Sequence, residues 1–311
     1  MGRVEMQRYI LIRLVQAIFV LVAVSIIVFV LARLSGNPAF LILPIDAGPE
    51  EVERLSKFWG LDKPLHVQYW KFISNAVQGD FGESLKWPGR TAIGLIGGRL
   101  VATLQLTLTA LILAAIMAVF FGVVTAVTKD TPIDHLGKVF ALLGQSAPTF
   151  WIGIMLIWIF AVEIGWLPTS GRGGINHMIL PVITLGWFEV AAIMRLVRSS
   201  MLDTLDSEYV KLARIKGLRE WKVIWKHCLR NAAIAPLTYF GIIAGTLITG
   251  SVIVETVFAW PGIGLLAIEA VLGRDFQVVQ AVALVFAVGF VMINLTVDIL
   301  YAYLDPRIRY G

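Results

Sequence analysis

The sequence predicts an all-α integral membrane protein with six transmembrane helices and an extracytoplasmic helical insertion between the first two. The first observation is composition. Only 15% of the 311 residues are charged and 58% are hydrophobic, with a mean hydropathy of +0.81, whereas soluble domains carry about 25% charged residues. The second is that six stretches are apolar over the roughly 20 residues that a helix needs to cross a bilayer core. The third is the distribution of basic residues between these stretches.

The six predicted spans are residues 9–31, 100–127, 139–162, 178–201, 232–257 and 278–304. The first is longer than the core of a signal peptide, about 7 to 15 residues, and no small-residue cleavage site follows it. We therefore expect it to be retained as a span. Pro181 and Pro236 lie inside predicted spans, where prolines are tolerated if neighbouring groups satisfy the freed backbone.

The basic residues predict the orientation, because Lys and Arg in short loops favour the cytoplasmic side. A cytoplasmic N-terminus puts most of them inside: Arg3, Arg8, Arg13, the 129–138 turn, the 203–231 segment, Arg307 and Arg309. The two short loops left outside hold one basic residue each, Arg172 in 163–177 and Arg274 in 258–277. We therefore expect both termini in the cytoplasm.

The chain divides into three parts: residues 1–31 with the first span, an extracytoplasmic insertion over 32–99, and a core over 100–311 that includes the cytoplasmic segment 203–231. Within the insertion, Pro49 and the acidic residues after it predict a helix start, and Gly60 predicts its end. A second amphipathic stretch follows around Tyr69 and Trp70. The insertion either covers the helix bundle with small surface helices or serves as an external docking platform.

Motifs for catalysis, nucleotide binding and metal binding are absent from the sequence. Gly137–Lys138 lacks the earlier glycine and the following hydroxyl of a P-loop, and no nucleophile elbow occurs. The four histidines have no metal-ligand spacing, and the one cysteine, Cys228, has no partner for a disulfide. We therefore expect no catalytic residue, metal or cofactor in this chain, and the cytoplasmic placement of the basic residues argues against nucleic-acid binding.

Ionisable residues inside the spans are functional candidates by default. They are few: Arg13, Glu189, Arg195, Glu255 and Asp298. Glu189 lies near the middle of its span and either lines a pathway or pairs with a donor on a neighbouring helix or subunit; Glu255 is a second pathway candidate. An ion-driven secondary transporter is the rival function from another class. It predicts inverted repeats and a midplane ionisable cluster, and the sequence shows neither.

The cytoplasmic segment predicts two short helices. Asp206 or Ser207 is placed to cap the first, and Gly217 to end it. In this first helix Tyr209, Leu212 and Ala213 share one face, while the basic residues Lys211, Arg214 and Lys216 project elsewhere.

The second predicted helix runs over 219–230. Its apolar residues recur at the spacing of an amphipathic α-helix: Trp221, Ile224, Trp225, Cys228 and Leu229. Lys222, Lys226 and Arg230 recur on the opposite side. Tryptophan on the apolar face and lysine on the polar face favour a helix at the membrane interface. Spacing alone leaves two interpretations open, an interfacial helix pair or a basic loop that only sets orientation.

The stretch "EYVKLARIKGL" followed by "HCLRNAAIAP" resembles the EAA loop of ABC-importer permeases, in the form found in the dipeptide, oligopeptide and nickel branch. Ala213, Gly217 and Leu229 match the general EAA pattern. Lys211, His227 and Arg230 depart from it in the manner of the peptide branch.

The resemblance covers nearly the whole chain. The stretches "APTFWIGIMLI", "VETVFAWPGIGLLAIEAVLGRDFQVVQ" and "INLTVDILYAYLDPRIRY" are similar to segments of the first permease subunit of dipeptide and oligopeptide importers. "YWKFISNAVQGDFG" and "FAVEIGWLPTSG" are also similar to the glutathione importer permease of that branch.

This resemblance implies a type I ABC importer permease in a bacterial or archaeal inner membrane, carrying dipeptides or oligopeptides, with glutathione, nickel and oligosaccharides as alternatives. It implies four kinds of partner: a second homologous permease that completes a heterodimer, two cytoplasmic ATPases that hold ATP and Mg, an extracytoplasmic solute-binding protein, and membrane lipid. The residues expected to couple to an ATPase are Glu208, Tyr209, Lys211, Leu212, Ala213, Arg214, Lys216, Gly217 and Leu218. A membrane scaffold without transport is a third reading.

Overall fold

The computed structural model describes residues 3–34 and 48–304. Arg307, Arg309 and part of the predicted insertion, residues 35–47, lie outside the described residues. Within them the helices are α1 (Arg3–Leu34), α2 (Pro49–Trp59), α3 (Leu65–Val77), α4 (Ala92–Val127), α5 (Pro132–Ser146), α6 (Thr149–Leu156), α7 (Ile175–Leu205), α8 (Glu208–Ile215), α9 (Glu220–Lys222), α10 (Leu229–Ala232), α11 (Ile234–Val257), α12 (Ile263–Leu272) and α13 (Phe276–Leu304). Two π-helical segments, Ile157–Glu163 and Val223–Cys228, follow α6 and α9.

Five of the described helices are long and apolar enough to cross a membrane, and the number is six if one bent pair of helices is counted as a single span. The predicted span over 139–162 is therefore not one continuous helix but part of this pair. Pro132–Ser146 and Thr149–Glu163 meet at an angle of 109°. The break falls at Ala147, whose ψ of 129° is extended, because Pro148 disfavours helical backbone in the residue before it.

The described helices group into two compact units. The first unit joins the chain up to Thr103 with the chain from Pro261 onward, and the second comprises Leu104–Trp260. In the first unit the insertion packs on α1 through aromatic rings, with the Phe29 and Tyr69 centroids 5.4 Å apart. Arg33 Nε also donates to Gln68 Oε1 across 2.7 Å, so α3 is fixed to α1 by both apolar and polar contacts.

The insertion helices follow the sequence signals. α2 begins at Pro49, and Gly60 ends it with a φ of 73° while its N–H donates to Lys57 O. Only glycine adopts such a backbone readily, so both predicted boundaries are confirmed.

The end of the insertion is fixed to the α12–α13 connection by one carboxylate. Asp275 is fully buried and accepts hydrogen bonds from the Ser84 hydroxyl, from the Lys86 N–H at 3.1 Å and from the Val278 N–H at 3.2 Å. Three donors from two segments therefore converge on a single side chain.

In the second unit, glycines allow close helix packing, as is common between membrane helices. A Cβ added to Gly122 on α4 would lie 2.7 Å from Val197 on α7, and one added to Gly144 on α5 would lie 2.5 Å from Ala191 on α7. Both distances are shorter than side chains tolerate, so α4 and α5 each approach α7 at a position where a larger residue does not fit.

Candidate functional site

The predicted first cytoplasmic helix is α8. Ser207 has the extended backbone of an N-cap residue, with φ −71° and ψ 149°. Its hydroxyl donates back to Thr204 O across 2.5 Å instead of accepting from the helix, whereas the N–H groups of Val210 and Lys211 donate to Ser207 O. The start of the helix therefore lies where the sequence predicts it, without the expected side-chain cap.

Gly217 ends α8 in a left-handed conformation. Its φ is 73°, its N–H donates to Arg214 O at 2.9 Å, and the Leu218 N–H donates to Ala213 O at 3.3 Å. These two bonds form a Schellman motif, in which the residue after the helix needs positive φ. The predicted end of the helix is confirmed.

The buried face of α8 differs from the face that the sequence indicates. Val210 and Ala213 are buried, whereas Leu212 is 56% and Ile215 79% exposed, and Tyr209 is exposed as well. Tyr209, Leu212 and Ala213 therefore do not act as one packed face. Because Val210 fills the inward position, the apolar residues on the other side of α8 remain uncovered.

Two ion pairs order the polar side chains of α8. Lys211 Nζ lies 2.8 Å from Glu208 Oε1 within the helix, and Arg214 Nη2 lies 2.7 Å from Glu220 Oε1 in α9. The hydrogen bonds that Arg214 donates to the Glu220 carboxylate raise the pKa of Arg214 above its ordinary value. The second pair matters more for the site, because it joins α8 to the next helix across the Gly217 turn.

The second cytoplasmic helix is not the regular α-helix that the spacing predicts. It comprises α9, the π-helical segment and α10. Val223, Ile224 and Cys228 are buried, while Trp221 and Trp225 are exposed. A π-helix bonds residue i to i+5, which puts Val223 and Cys228 on the same side and turns the tryptophans outward. The predicted apolar set is therefore divided, with Ile224 and Cys228 buried and both tryptophans exposed, and the membrane-interface role of the tryptophans stays a prediction.

Sequence reasoning also missed two residues that hold the segment together. Asn231 Nδ2 donates to the Tyr209 hydroxyl at 2.9 Å, and Glu220 pairs with Arg214. Arg214 and Glu220 are six residues apart on either side of the Gly217 turn, and this separation predicts an ion pair only weakly. The 22-residue separation of Asn231 from Tyr209 gives no local signal at all.

The two pathway candidates have different surroundings. Glu189 on α7 is partly buried, and its Oε2 is enclosed without a hydrogen-bond partner among the described residues. Glu255 on α11 is fully buried and accepts a hydrogen bond from Ser251 Oγ at 3.1 Å. The Oε2 atom of Glu189 can therefore accept a hydrogen bond from a further donor.

Across 3–34 and 48–304, no group of three His, Cys, Asp or Glu side chains is arranged to hold a metal ion.

Comparison with known proteins shows that the chain is similar to membrane components of transport systems. Residues 118–310 match the family described as binding-protein-dependent transport system inner membrane component, and residues 6–88 match the N-terminal family of the same membrane components. The glutathione transport system permease protein GsiC of Escherichia coli strain K12 is 43% identical over 98% of this chain and 100% of its own length. The corresponding protein of Salmonella paratyphi A is 42% identical over the same shares.

A solved structure shows a similar fold. It is a crystal structure of an amino acid ABC transporter with histidines, which matches with a TM-score of 0.54 at 18% identity. The match covers 68% of this chain and 94% of that one.

Proposed function

The chain belongs to the family of binding-protein-dependent transport system inner membrane components, and we propose that it forms part of the path by which small peptides, glutathione among them, enter the cell. It is a non-catalytic, multi-pass permease subunit of an ABC importer in the inner membrane. The proposal concerns the substrate, the partners, the orientation and the residues that carry the coupling.

Glutathione is the favoured substrate because two full-length relatives named for its transport share 43% and 42% identity with nearly the entire chain. Short peptides present the same chemistry, an amide backbone with a free ammonium and carboxylates. Nickel complexes and oligosaccharides are the less favoured cargoes of the same class of transporter.

The proposed complex pairs this subunit with a homologous second permease, two ATPases that bind ATP and Mg on the cytoplasmic side, and a solute-binding protein outside. Both termini lie in the cytoplasm in this proposal. The support is the charge distribution of the loops, since basic residues in short loops favour the cytoplasmic side.

The observation that carries the proposed coupling role is the exposed apolar surface of α8. Leu212 and Ile215 lie on a short helix between two long apolar helices, beside basic and acidic side chains. Contiguous exposed apolar side chains mark interaction sites. We assign this surface, from Glu208 to Leu218, to the ATPase contact, where a short helix closed by Gly217 passes motion from the ATPase to α7.

The proposed contribution of Glu189 is to the translocation path. Its enclosed Oε2 has no donor among the described residues, and a carboxylate in a membrane span is costly unless a cation or donor meets it. The ammonium group of a passing peptide supplies such a donor.

The test is transport by the purified importer in proteoliposomes. We expect uptake of radiolabelled glutathione and dipeptides only when the second permease, both ATPases, the binding protein and internal ATP are present. Uptake driven by an ion gradient without the ATPases would overturn the proposal in favour of a secondary transporter. ATP-dependent uptake of nickel or oligosaccharide without peptide uptake would overturn the substrate assignment alone.

A further inference from the structure

A fully buried carboxylate at the start of α5 gathers two cations and a backbone amide. Arg198 donates to Asp134 through Nε at 2.7 Å and through Nη2 at 2.8 Å. Lys138 Nζ lies 2.8 Å from the same carboxylate, and the Asp130 N–H donates to it across 3.0 Å. Two parallel bonds between a guanidinium and a carboxylate fix their relative orientation.

The pair joins two elements 64 residues apart in the sequence. Asp134 lies in the first turn of α5, where the helix dipole favours an anion, and Arg198 lies two turns before the end of α7. Only Asp206 and Ser207 separate the end of α7 from α8. The guanidinium is therefore carried by the helix that leads directly into the proposed coupling helix.

The packing around the pair leaves little room for sliding. Gly144 of α5 faces Ala191 of α7, and Gly137 of α5 faces Thr125 of α4 and Met194 of α7, without space for an added methyl group. Close-packed helices of this kind shift together or separate, because their surfaces do not deform continuously.

Net stabilisation is a weak explanation for such a pair. Removing a carboxylate and a guanidinium from water is costly, and apolar side chains of the same volume often stabilise a fold as well or better. An ion pair with bidentate geometry instead holds α5 and α7 in one fixed relative arrangement.

We propose that Asp134 and Arg198 are a positioning pair that makes the start of α5 and the end of α7 move as one body with α8. The inference rests on the proposed coupling role of α8. Energetic coupling between distant sites requires an element whose arrangement both sites bias. Without the pair, α8 and the end of α7 still respond to the ATPase, but the displacement no longer reaches α5.

The test compares Asp134→Asn, Asp134→Glu, Arg198→Gln and the double variant Asp134→Asn/Arg198→Gln in the complete importer in proteoliposomes. The readout is substrate taken up per ATP hydrolysed, together with the amount of assembled complex. We expect Asp134→Asn and Arg198→Gln each to lower the ratio about tenfold, an effect within the usual range of coupling energies. Asp134→Glu keeps the charge and should retain most of the ratio.

The double variant removes both charges of the Asp134–Arg198 pair, and only Lys138, whose side chain is 43% exposed to solvent, loses its carboxylate partner. We expect its ratio to equal that of either single variant, because residues that act as a unit do not show additive losses. Asp298→Asn is the matched control: it breaks the Arg13–Asp298 pair, which measures 3.2 Å and belongs to the other compact unit, and it should leave the ratio unchanged.

Two results would overturn the inference. In the first, the Asp134→Asn variant assembles less well, and its uptake and ATP hydrolysis fall to the same extent. The substrate taken up per ATP hydrolysed is then unchanged. The other is a double variant with the wild-type ratio, since the pair would then matter only as a charge to be neutralised. The proposed function has a separate readout, ATP-dependent uptake by the wild-type importer, so its failure is recognised without any variant.

Discussion

The side-chain amide of Asn231 donates a hydrogen bond to the hydroxyl of Tyr209 across 2.9 Å. The same amide donates to His227 O at 3.2 Å, so its orientation is fixed from two sides. With the Arg214–Glu220 pair, this bond attaches α8 to the following helix at two points beyond the chain itself. The two cytoplasmic helices are therefore one folded element.

Tyr209→Phe removes the hydroxyl and leaves the ring. We expect it to weaken the attachment of α8 by about 1 kcal/mol, the net value of an ordinary hydrogen bond, and to lower substrate uptake per ATP by about two- to fivefold. Asn231→Ala should have an effect of the same size. The combined variant should lose no more than either single one; losses that multiply would show that the two side chains act independently.

Gly217→Val should uncouple transport from ATP hydrolysis. The surroundings of Gly217 are open, with no atom within 4 Å of an added Cβ, but its φ is +73°. Left-handed backbone costs an ordinary residue roughly 1–2 kcal/mol, and more for a β-branched one. Gly217→Asn is the matched control, since asparagine tolerates this region. Unchanged uptake per ATP in the valine variant would contradict the assignment of the helix end.

Ile215→Asp introduces a charge on the exposed apolar surface of α8. We expect loss of ATPase co-purification, because a desolvated carboxylate without a partner opposes the docking of an apolar surface. Val77→Asp, which alters an equally exposed apolar residue on α3 at 82% exposure, should leave co-purification intact. If the ATPase still co-purifies with the Ile215 variant, α8 is not the contact.

Glu189→Gln keeps the volume of the side chain and removes its charge. If the carboxylate meets the ammonium of a peptide, uptake of cationic substrates should fall several-fold relative to acidic ones, since charge-assisted hydrogen bonds are about twice as strong as neutral ones. Competition between labelled cationic and acidic dipeptides measures this preference. An equal loss for all substrates would indicate a structural role.

Asp275→Ala should destabilise the first unit. It leaves the Ser84 hydroxyl and the Lys86 and Val278 N–H groups without their acceptor, and each unsatisfied buried donor costs about 1–3 kcal/mol. A lower thermal midpoint of the purified importer and faster proteolysis of the insertion are the expected results. Asp80→Ala is the control, because Asp80 is exposed and its carboxylate accepts from the nearby Gly82 N–H; a similar shift in both variants would contradict the role of Asp275.

The features predicted correctly from the sequence are those set by residues a few positions apart. Pro49 and Gly60 delimit α2, and Gly217 ends α8, because proline and glycine constrain φ locally. The long apolar helices follow from composition and length. These signals need no knowledge of which helix packs against which.

The features that sequence reasoning missed depend on neighbours distant in the sequence. The Asp134–Arg198 pair spans 64 residues and the Ser84–Asp275 bond 191, and no local pattern marks either. In the second cytoplasmic helix the tryptophans lie apart from the buried Ile224 and Cys228, because π-helical winding changes the period from which a face is inferred. Val210 is buried and Leu212 is exposed, and the side of α8 that packs inward depends on tertiary contacts that residue spacing does not mark.

The 109° bend between α5 and α6 has a consequence for the solvent around the protein. At such a break the carbonyl groups ending one helix and the N–H groups starting the next lack partners within either helix, and hydrocarbon cannot supply them, at a cost of several kcal/mol per group. We therefore expect water or another protein, and not acyl chains, to cover the surface between Ser146 and Thr149 where the bend lies within the hydrocarbon layer. Such a stretch interrupts the lipid boundary of the subunit.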